Sequence, residues 1–221
     1  MLEYLGYEQL PIMPRTYTNI IRTEAELRAT LGHPARMVVD KALDRLDDHC
    51  RAFIQHSPFL TIASSDGEGR LDVSPKGDPP GFVRILDDRT LAIPDRPGNK
   101  RADTLTNVLR DPNVGLLFFI PGVRETLRVN GRATVVRDAD LLQLRAVNGR
   151  PALFATVVEI TEAFMHCAKC IIRSALWSAS DAERPAGIPS LGTSLVKHAR
   201  LPQTAAEMDE LIREDERTNL Y

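Results

Sequence analysis

Residues 93–107, IPDRPGNKRADTLTN, concentrate the residue types needed to hold an anion. The segment ends a strand, turns through Pro97 and Gly98, and sets Asn99, Lys100 and Arg101 at the entrance to a helix. A helix start offers unpaired N–H groups and the positive end of its dipole, and phosphate suits that geometry. Arginine can grip such a group in bidentate fashion, while lysine supplies a compact charge. A basic pair in a loop can equally be a solvated face, so the local pattern leaves both readings open. The spacing is not that of a P-loop, because G-x-x-x-x-G-K-S/T is absent. Nor does a G-x-G-x-x-G open a βαβ unit.

A second constellation lies in FMHCAKCIIRSALW, which reads as one helix. His166, Lys169, Arg173 and Trp177 recur at three- and four-residue steps, which would stack them along one face. A lone Trp beside Lys and Arg could wall a pocket for a planar or anionic molecule, or it could anchor an interface helix. Cys167 and Cys170 form a C-x-x-C, readable as a redox pair, half a zinc site, or two small apolar residues on a helix face. A zinc site would need two more ligands, and only His166 is close by; the pattern favours packing, and no metal site is expected. His56 and His198 read as structural or exposed. No nucleophilic triad is visible, since Ser64 and Ser65 lie in a hairpin without a G-x-S-x-G elbow. Asp47 with Asp48, and Asp87 with Asp88, read as solvated pairs, so no catalytic residue is assigned.

The elements that must position these residues follow from period and punctuation. Residues 1–19 carry Pro11 and Pro14 and no clear period. Thr23 and Glu26 form a capping box for a helix that Gly32 ends. Val38, Leu43, Leu46, Cys50, Phe53 and Ile54 repeat at helical spacing after Pro34. From Pro58 the period shortens: FLTIASS, a D-G-E-G turn and RLDVSPKG make a hairpin. GFVRIL and TLAIPD make a second strand pair. VGLLFFIPG reads as a buried strand, and TLRVNGRATVVRD carries a mid-strand Gly131 that marks a bulge or close backbone approach. Residues 138–148 read as helix, ALFATVVEITEAFMH as the last strand running into a helix, residues 181–192 as loop, and TAAEMDELIREDERTNL as a terminal acidic helix. Six or so strands in hairpin succession, with helices at both ends, predict a small antiparallel barrel of the α+β class, mainly β. The organisation read is an N-terminal arm and helix over residues 1–35, a barrel domain over 36–200 and a C-terminal helix over 201–221.

Composition removes several function classes. The 221 residues carry a formal net charge of -2, which gives no global electrostatic case for nucleic acid or an anionic membrane. Three cysteines argue against a secreted disulfide scaffold. The longest apolar run, residues 114–120, is far shorter than a membrane span, and no basic start precedes an apolar run at the N-terminus. A cytoplasmic protein is expected.

Read together, DVSPKGDPPGFV, IPDRPGNKRADTLTN, LLFFIPG, TLRVNGRA and HCAKCIIRSALW resemble, in this order, the motifs of the pyridoxamine-5′-phosphate-oxidase-like flavoproteins. The resemblance covers roughly residues 40 to 200 and is nearest to an FMN-dependent bacterial subgroup. It implies an FMN-binding split β-barrel, a homodimer with FMN at the subunit interface, and an FMN-dependent oxidoreductase acting on a small molecule. A non-catalytic flavin- or haem-binding carrier or sensor on the same fold is the alternative. It implies the FMN phosphate on Asn99, Lys100 and Arg101, and Ser74, Pro75, Lys76 and Gly77 beneath the isoalloxazine. Pro94 and Asp95 fall near the ribityl chain, and Thr126 and Arg128 approach from another side. Lys76 and Arg128 are candidates for a cation near the N1–C2=O edge. His166, Lys169, Arg173 and Trp177 remain substrate-pocket candidates. The basic set with which the oxidase proper grips its substrate's phosphate has no match in the C-terminal part.

Overall fold

Alternation of apolar and polar residues from Phe59 onward builds one antiparallel sheet. The computed structural model describes residues 16–143, 146, 149–177 and 188–218. The chain forms two compact units, Met1–Val39 and Asp40–Tyr221. In the first, α1 (Glu24–Leu31) is capped by Thr23, whose hydroxyl accepts from the Glu26 N–H at 3.2 Å. Glu26 reaches back to the Arg22 N–H at 2.8 Å, and Gly32 ends the helix at φ 73°. The irregular arm read over residues 1–19 lies mostly outside the described residues.

The helical spacing from Val38 to Ile54 does not produce one helix. α2 (Arg36–Asp40) stops, and α3 (Asp48–His56) starts afresh with Asp47 accepting from the Cys50 N–H at 2.8 Å. Between them Leu43 exchanges two backbone hydrogen bonds with Ala163, and the Leu46 N–H donates to Asp88 O. Those backbone groups are spent on the barrel, so they cannot close helical turns.

Seven strands follow: β1 (Phe59–Ser65), β2 (Leu71–Gly77), β3 (Arg84–Ile85), β4 (Thr90–Asp95), β5 (Asn113–Phe119), β6 (Thr126–Val136) and β7 (Phe154–His166). The order across the sheet is β2-β1-β5-β6-β7-β4-β3, every neighbour antiparallel. This is the expected split barrel, with seven strands. The inward residues Leu60, Ile62, Leu91, Leu116, Phe118, Leu127, Val129 and Val158 are almost wholly buried, and Cys50, Phe53 and Ile54 of α3 join the same core. GFVRIL contributes only Arg84 and Ile85 to the sheet, because Phe82 and Val83 turn into the core instead. In β5, Val114, Leu116 and Phe118 are buried while Leu117 and Phe119 are only half-buried, so its continuous apolar run serves two faces unequally. Gly131 sits at a register shift between β6 and β7, as its position mid-strand predicts.

The remaining helices are short. α4 (Asp103–Arg110) crosses between β4 and β5, and α5 (Ala139–Gln143) follows β6. α5 is shorter than the helix read over 138–148, part of which lies outside the described residues. The helix read over FMHCAKCIIRSALW is corrected. β7 continues to His166 because β6 offers it a ladder as far as Thr126, and α6 (Lys169–Ser174) ends with Ala175 in the left-handed region. Of the loop read over 181–192, residues 181–187 lie outside the described set, and Leu191 and Gly192 already belong to α7 (Leu191–Ala199). α7 packs on α8 (Ala205–Thr218), and Asp209 accepts from the Gly192 N–H at 2.9 Å. No described helix is long and apolar enough to cross a membrane.

Candidate functional site

β2 inverts the usual alternation of a barrel strand. Its half-buried residues are Asp72, Ser74 and Lys76, whereas Leu71 is 81% and Val73 64% exposed. Ser74 and Lys76 of this row line a cavity of about 540 Å³ shared with the loop after β4, the start of α4, and Leu153 with Phe154. That volume lies in the range of small-molecule sites.

Ser74, Pro75, Lys76, Asp95, Asn99, Lys100 and Arg101, widely spaced in the chain, all line this cavity. Gly77 and Pro94 stand beside it in the ladders, paired with Phe59 and Ala155. Lys76 Nζ lies 2.9 Å from Asp95 Oδ1, tying β2 to the end of β4. Arg96 lines the cavity as well and was not singled out from sequence. Its Nε and Nη2 both donate to Asp78 Oδ2 at 2.7 Å, and the Asp78 side chain is 2% exposed. An arginine inside the D-R-P-G motif was the available signal; only the tertiary fold shows it turned inward. Asp72, also missed, accepts from Ser74 at 2.8 Å and from Thr104 at 3.0 Å, which fixes the floor under α4.

The loop has the local features that suit an anion. Lys100 and Ala102 adopt φ of 63° and 58°, a left-handed conformation costing a non-glycine residue of order 1 kcal/mol. Asn99 Oδ1 accepts from the Arg101 N–H at 3.0 Å and holds the turn. Ala102, at the N-cap of α4, has no side chain that could accept from the first-turn N–H groups. A helix start without a capping acceptor leaves those donors for a ligand. Arg101 pairs with Asp103 at 2.8 Å, which raises its already high pKa, whereas Lys100 has no ion-pair partner among the described residues.

Thr126 and Arg128 lie elsewhere. They pair with His166 and Phe164 at one end of β7, while the cavity meets Phe154 at the other. The thirteen residues of β7 separate the two by roughly 40 Å measured along the strand. Arg128 pairs with Glu162 at 3.0 Å, and its guanidinium carbon sits 4.2 Å from the Phe164 ring centroid. Lys41 Nζ lies 4.8 Å from the same centroid, and the His166 ring 5.0 Å.

The single helical face expected for His166, Lys169, Arg173 and Trp177 does not exist, because His166 is in β7 and Trp177 follows the left-handed turn at Ala175. Trp177 Nε1 instead donates to Val123 O at 2.7 Å and lines a niche of about 270 Å³ with Arg124, Ile171 and Ile172. Cys167 and Cys170 are both exposed, which overturns the packing reading. Among the described residues no cluster of His, Cys, Asp and Glu could hold a metal ion.

Burial, aided by Arg128 and Lys41, lowers the His166 pKa below the usual imidazole value. The unfolded chain then binds the proton more readily, so stability falls as pH drops through about 6.5 and below. Melting temperatures between about pH 8 and 5 are expected to fall further for the wild type than for His166→Gln. Parallel curves would show that His166 does not carry the effect.

A family model described as Pyridoxamine 5′-phosphate oxidase matches residues 46–167, more than half of the chain. No curated protein matches. Three solved structures are similar to this chain. HupZ from Group A Streptococcus is 13% identical, covering 54% of this chain and 93% of its own, with a TM-score of 0.45. An FMN-binding protein from Syntrophomonas wolfei subsp. wolfei is 12% identical over 53% of this chain and 80% of its own, at 0.40. General Stress Protein 26 from Bacillus anthracis is 12% identical over 52% and 88%, at 0.38.

Proposed function

The chain belongs to the pyridoxamine 5′-phosphate oxidase family, and from that premise we propose that it is a cytoplasmic, FMN-dependent oxidoreductase acting on a small molecule. The observation that carries the proposal is the left-handed loop at Lys100 and Ala102 feeding an uncapped helix inside a cavity of ligand size. The residues there fit the cofactor. Lys100, Arg101 and the first N–H groups of α4 hold the phosphate, and Asn99 shapes the loop that presents them. Ser74, Pro75 and Lys76 line the cavity wall and would meet the ring system, with Asp95 holding Lys76 in place. FMN supplies transfer of two electrons as hydride, or of one at a time. Lys76, held at the wall by Asp95, would meet the ring as a hydrogen-bond donor.

The active unit is a homodimer. Thr126 and Arg128 cannot reach the cavity of their own chain, so a second copy supplies them. Exposed Leu71 and Val73 on edge strand β2 are the kind of apolar surface a partner covers. The fold's remaining candidates for contact with substrate are at the same far end, where His166 and Trp177 lie on either side of α6.

The test is the absorbance spectrum of the purified protein, with the released chromophore identified by mass, followed by anaerobic NADPH and sedimentation. FMN in near-stoichiometric amount, bleached by reductant in a dimer, is the expected result. A colourless protein that takes up no added FMN overturns the cofactor assignment. FMN held without reduction by NADPH or any substrate tried puts the non-catalytic carrier ahead, and a monomer that retains FMN overturns the shared site.

A further inference from the structure

Cys167 and Cys170 stand where strand becomes helix. Cys167 directly follows β7, and Cys170 is the second residue of α6. The two residues between them decide how far apart they are. Ala168 has φ -68° and ψ -9°, Lys169 is already helical, and the Ile172 N–H donates to Ala168 O at 2.9 Å. Two consecutive right-handed helical residues put the flanking Cα atoms about 5 Å apart. A disulfide spans Cα separations of roughly 4.4–6.8 Å, so the pair can close without unwinding the turn. Both thiols are exposed, whereas neighbouring Ile171 is buried and holds α6 against the barrel. The third cysteine differs: Cys50 is buried in the core, and burial pushes its thiol up to about 11.

We propose that Cys167 and Cys170 form a reversible dithiol–disulfide couple whose reaction partners are low-molecular-weight thiols and disulfides. In the oxidising direction one cysteine thiolate attacks a sulfur of a small disulfide RSSR, forming a mixed disulfide and releasing RS⁻. The second cysteine thiolate then attacks the protein sulfur of that mixed disulfide, closing the Cys167–Cys170 bond and releasing the other RS⁻. Two protein thiols are oxidised, one RSSR is reduced to two thiols, and the two cysteine protons pass to the released thiolates. Closing the ring staples α6 to the end of β7, one residue beyond His166. The assignment does not depend on flavin, so its failure and the failure of the cofactor reading can be told apart.

The full-length native protein is equilibrated in glutathione buffers of graded reduced-to-oxidised ratio, quenched with an alkylating agent, and digested with trypsin. Lys169 lies between the two cysteines, so trypsin separates them unless the disulfide joins the peptides. The expected result is a linked pair of peptides appearing as the buffer becomes oxidising and lost on return to reducing buffer, with Cys50 alkylated only after unfolding. Cys167→Ser and Cys170→Ser each abolish the linkage completely and accumulate the glutathione mixed disulfide at the remaining thiol. Separate peptides at every ratio overturn the proposal, as does a linkage joining two copies of the chain or one involving Cys50.

Discussion

Replacing Lys100 and Arg101 together by alanine is expected to weaken FMN binding by roughly 10–100-fold while leaving the melting temperature of the cofactor-free protein unchanged. A hydrogen bond to a charged group contributes about 1.5–3 kcal/mol, and about 1.4 kcal/mol is a factor of ten in affinity. The sum over two residues overstates the loss. The Arg101 side chain is 72% exposed, and Arg101 must first leave Asp103. Surface pairs of that kind are worth at most about 1 kcal/mol, so the exchange favours the phosphate only modestly. Lys100 has no such prior partner, and it sits on a strained backbone that the fold maintains at a cost. Lys100→Ala alone is therefore expected to weaken FMN more than Arg101→Ala does. Titration of the apoprotein with FMN, followed by flavin fluorescence, measures both. Unchanged affinity in the double variant would remove the phosphate from this loop.

The second large effect is on stability. A Cβ placed on Gly131 would collide with Glu159 O and lie 2.8 Å from a Val158 methyl. The first obstacle is backbone, in the longest strand pairing of the barrel, and it cannot swing away as a flexible side chain can. Overpacking costs about 1–3 kcal/mol, and a rigid obstacle places Gly131→Ala at the upper end. For a chain of this size that is a fall in melting temperature of roughly 6–12 °C. Gly98→Ala is the matched control, since nothing lies within 4 Å of a Cβ built there and its backbone is not left-handed. Equal melting temperatures for the two variants would show that the bulge accommodates a methyl group.

The two effects differ in how they were legible. Gly131 announced itself, because a glycine in the middle of a strand has few reasons to be there beyond a bulge or a close approach. The anion loop was also visible, since Pro97-Gly98 followed by Asn99, Lys100 and Arg101 before an amphipathic segment is a local signal. Strand period, the D-G-E-G turn and the capping box at Thr23 are local in the same sense. Each is decided by residues within a few positions of one another, and nearest-neighbour physics reads them directly. The membership of the chain in its family rests on that same layer, on short motifs in a fixed order.

What tertiary structure decided is what depends on distant partners. The helix spacing from Val38 to Ile54 is real, yet Leu43 is claimed by Ala163 more than a hundred residues away, and a backbone group satisfied there cannot also close a helical turn. The helix read over FMHCAKCIIRSALW lost its first residues to β7 for the same reason, because β6 supplies a ladder up to His166. That one change dispersed His166, Lys169, Arg173 and Trp177, brought both cysteines to the surface, and left them one helical turn apart. Asp72 was silent in the sequence, and the arginine of D-R-P-G did not show which way it turns, since facing a cavity is a property of the closed barrel and not of a strand. The chain alone therefore determined most strands and turns and the local shape of the loop at Asn99, Lys100 and Arg101. Only the pairing of remote strands decided which side chains share a wall, because hydrogen-bonding groups and apolar faces are satisfied by whichever partner the whole fold brings to them.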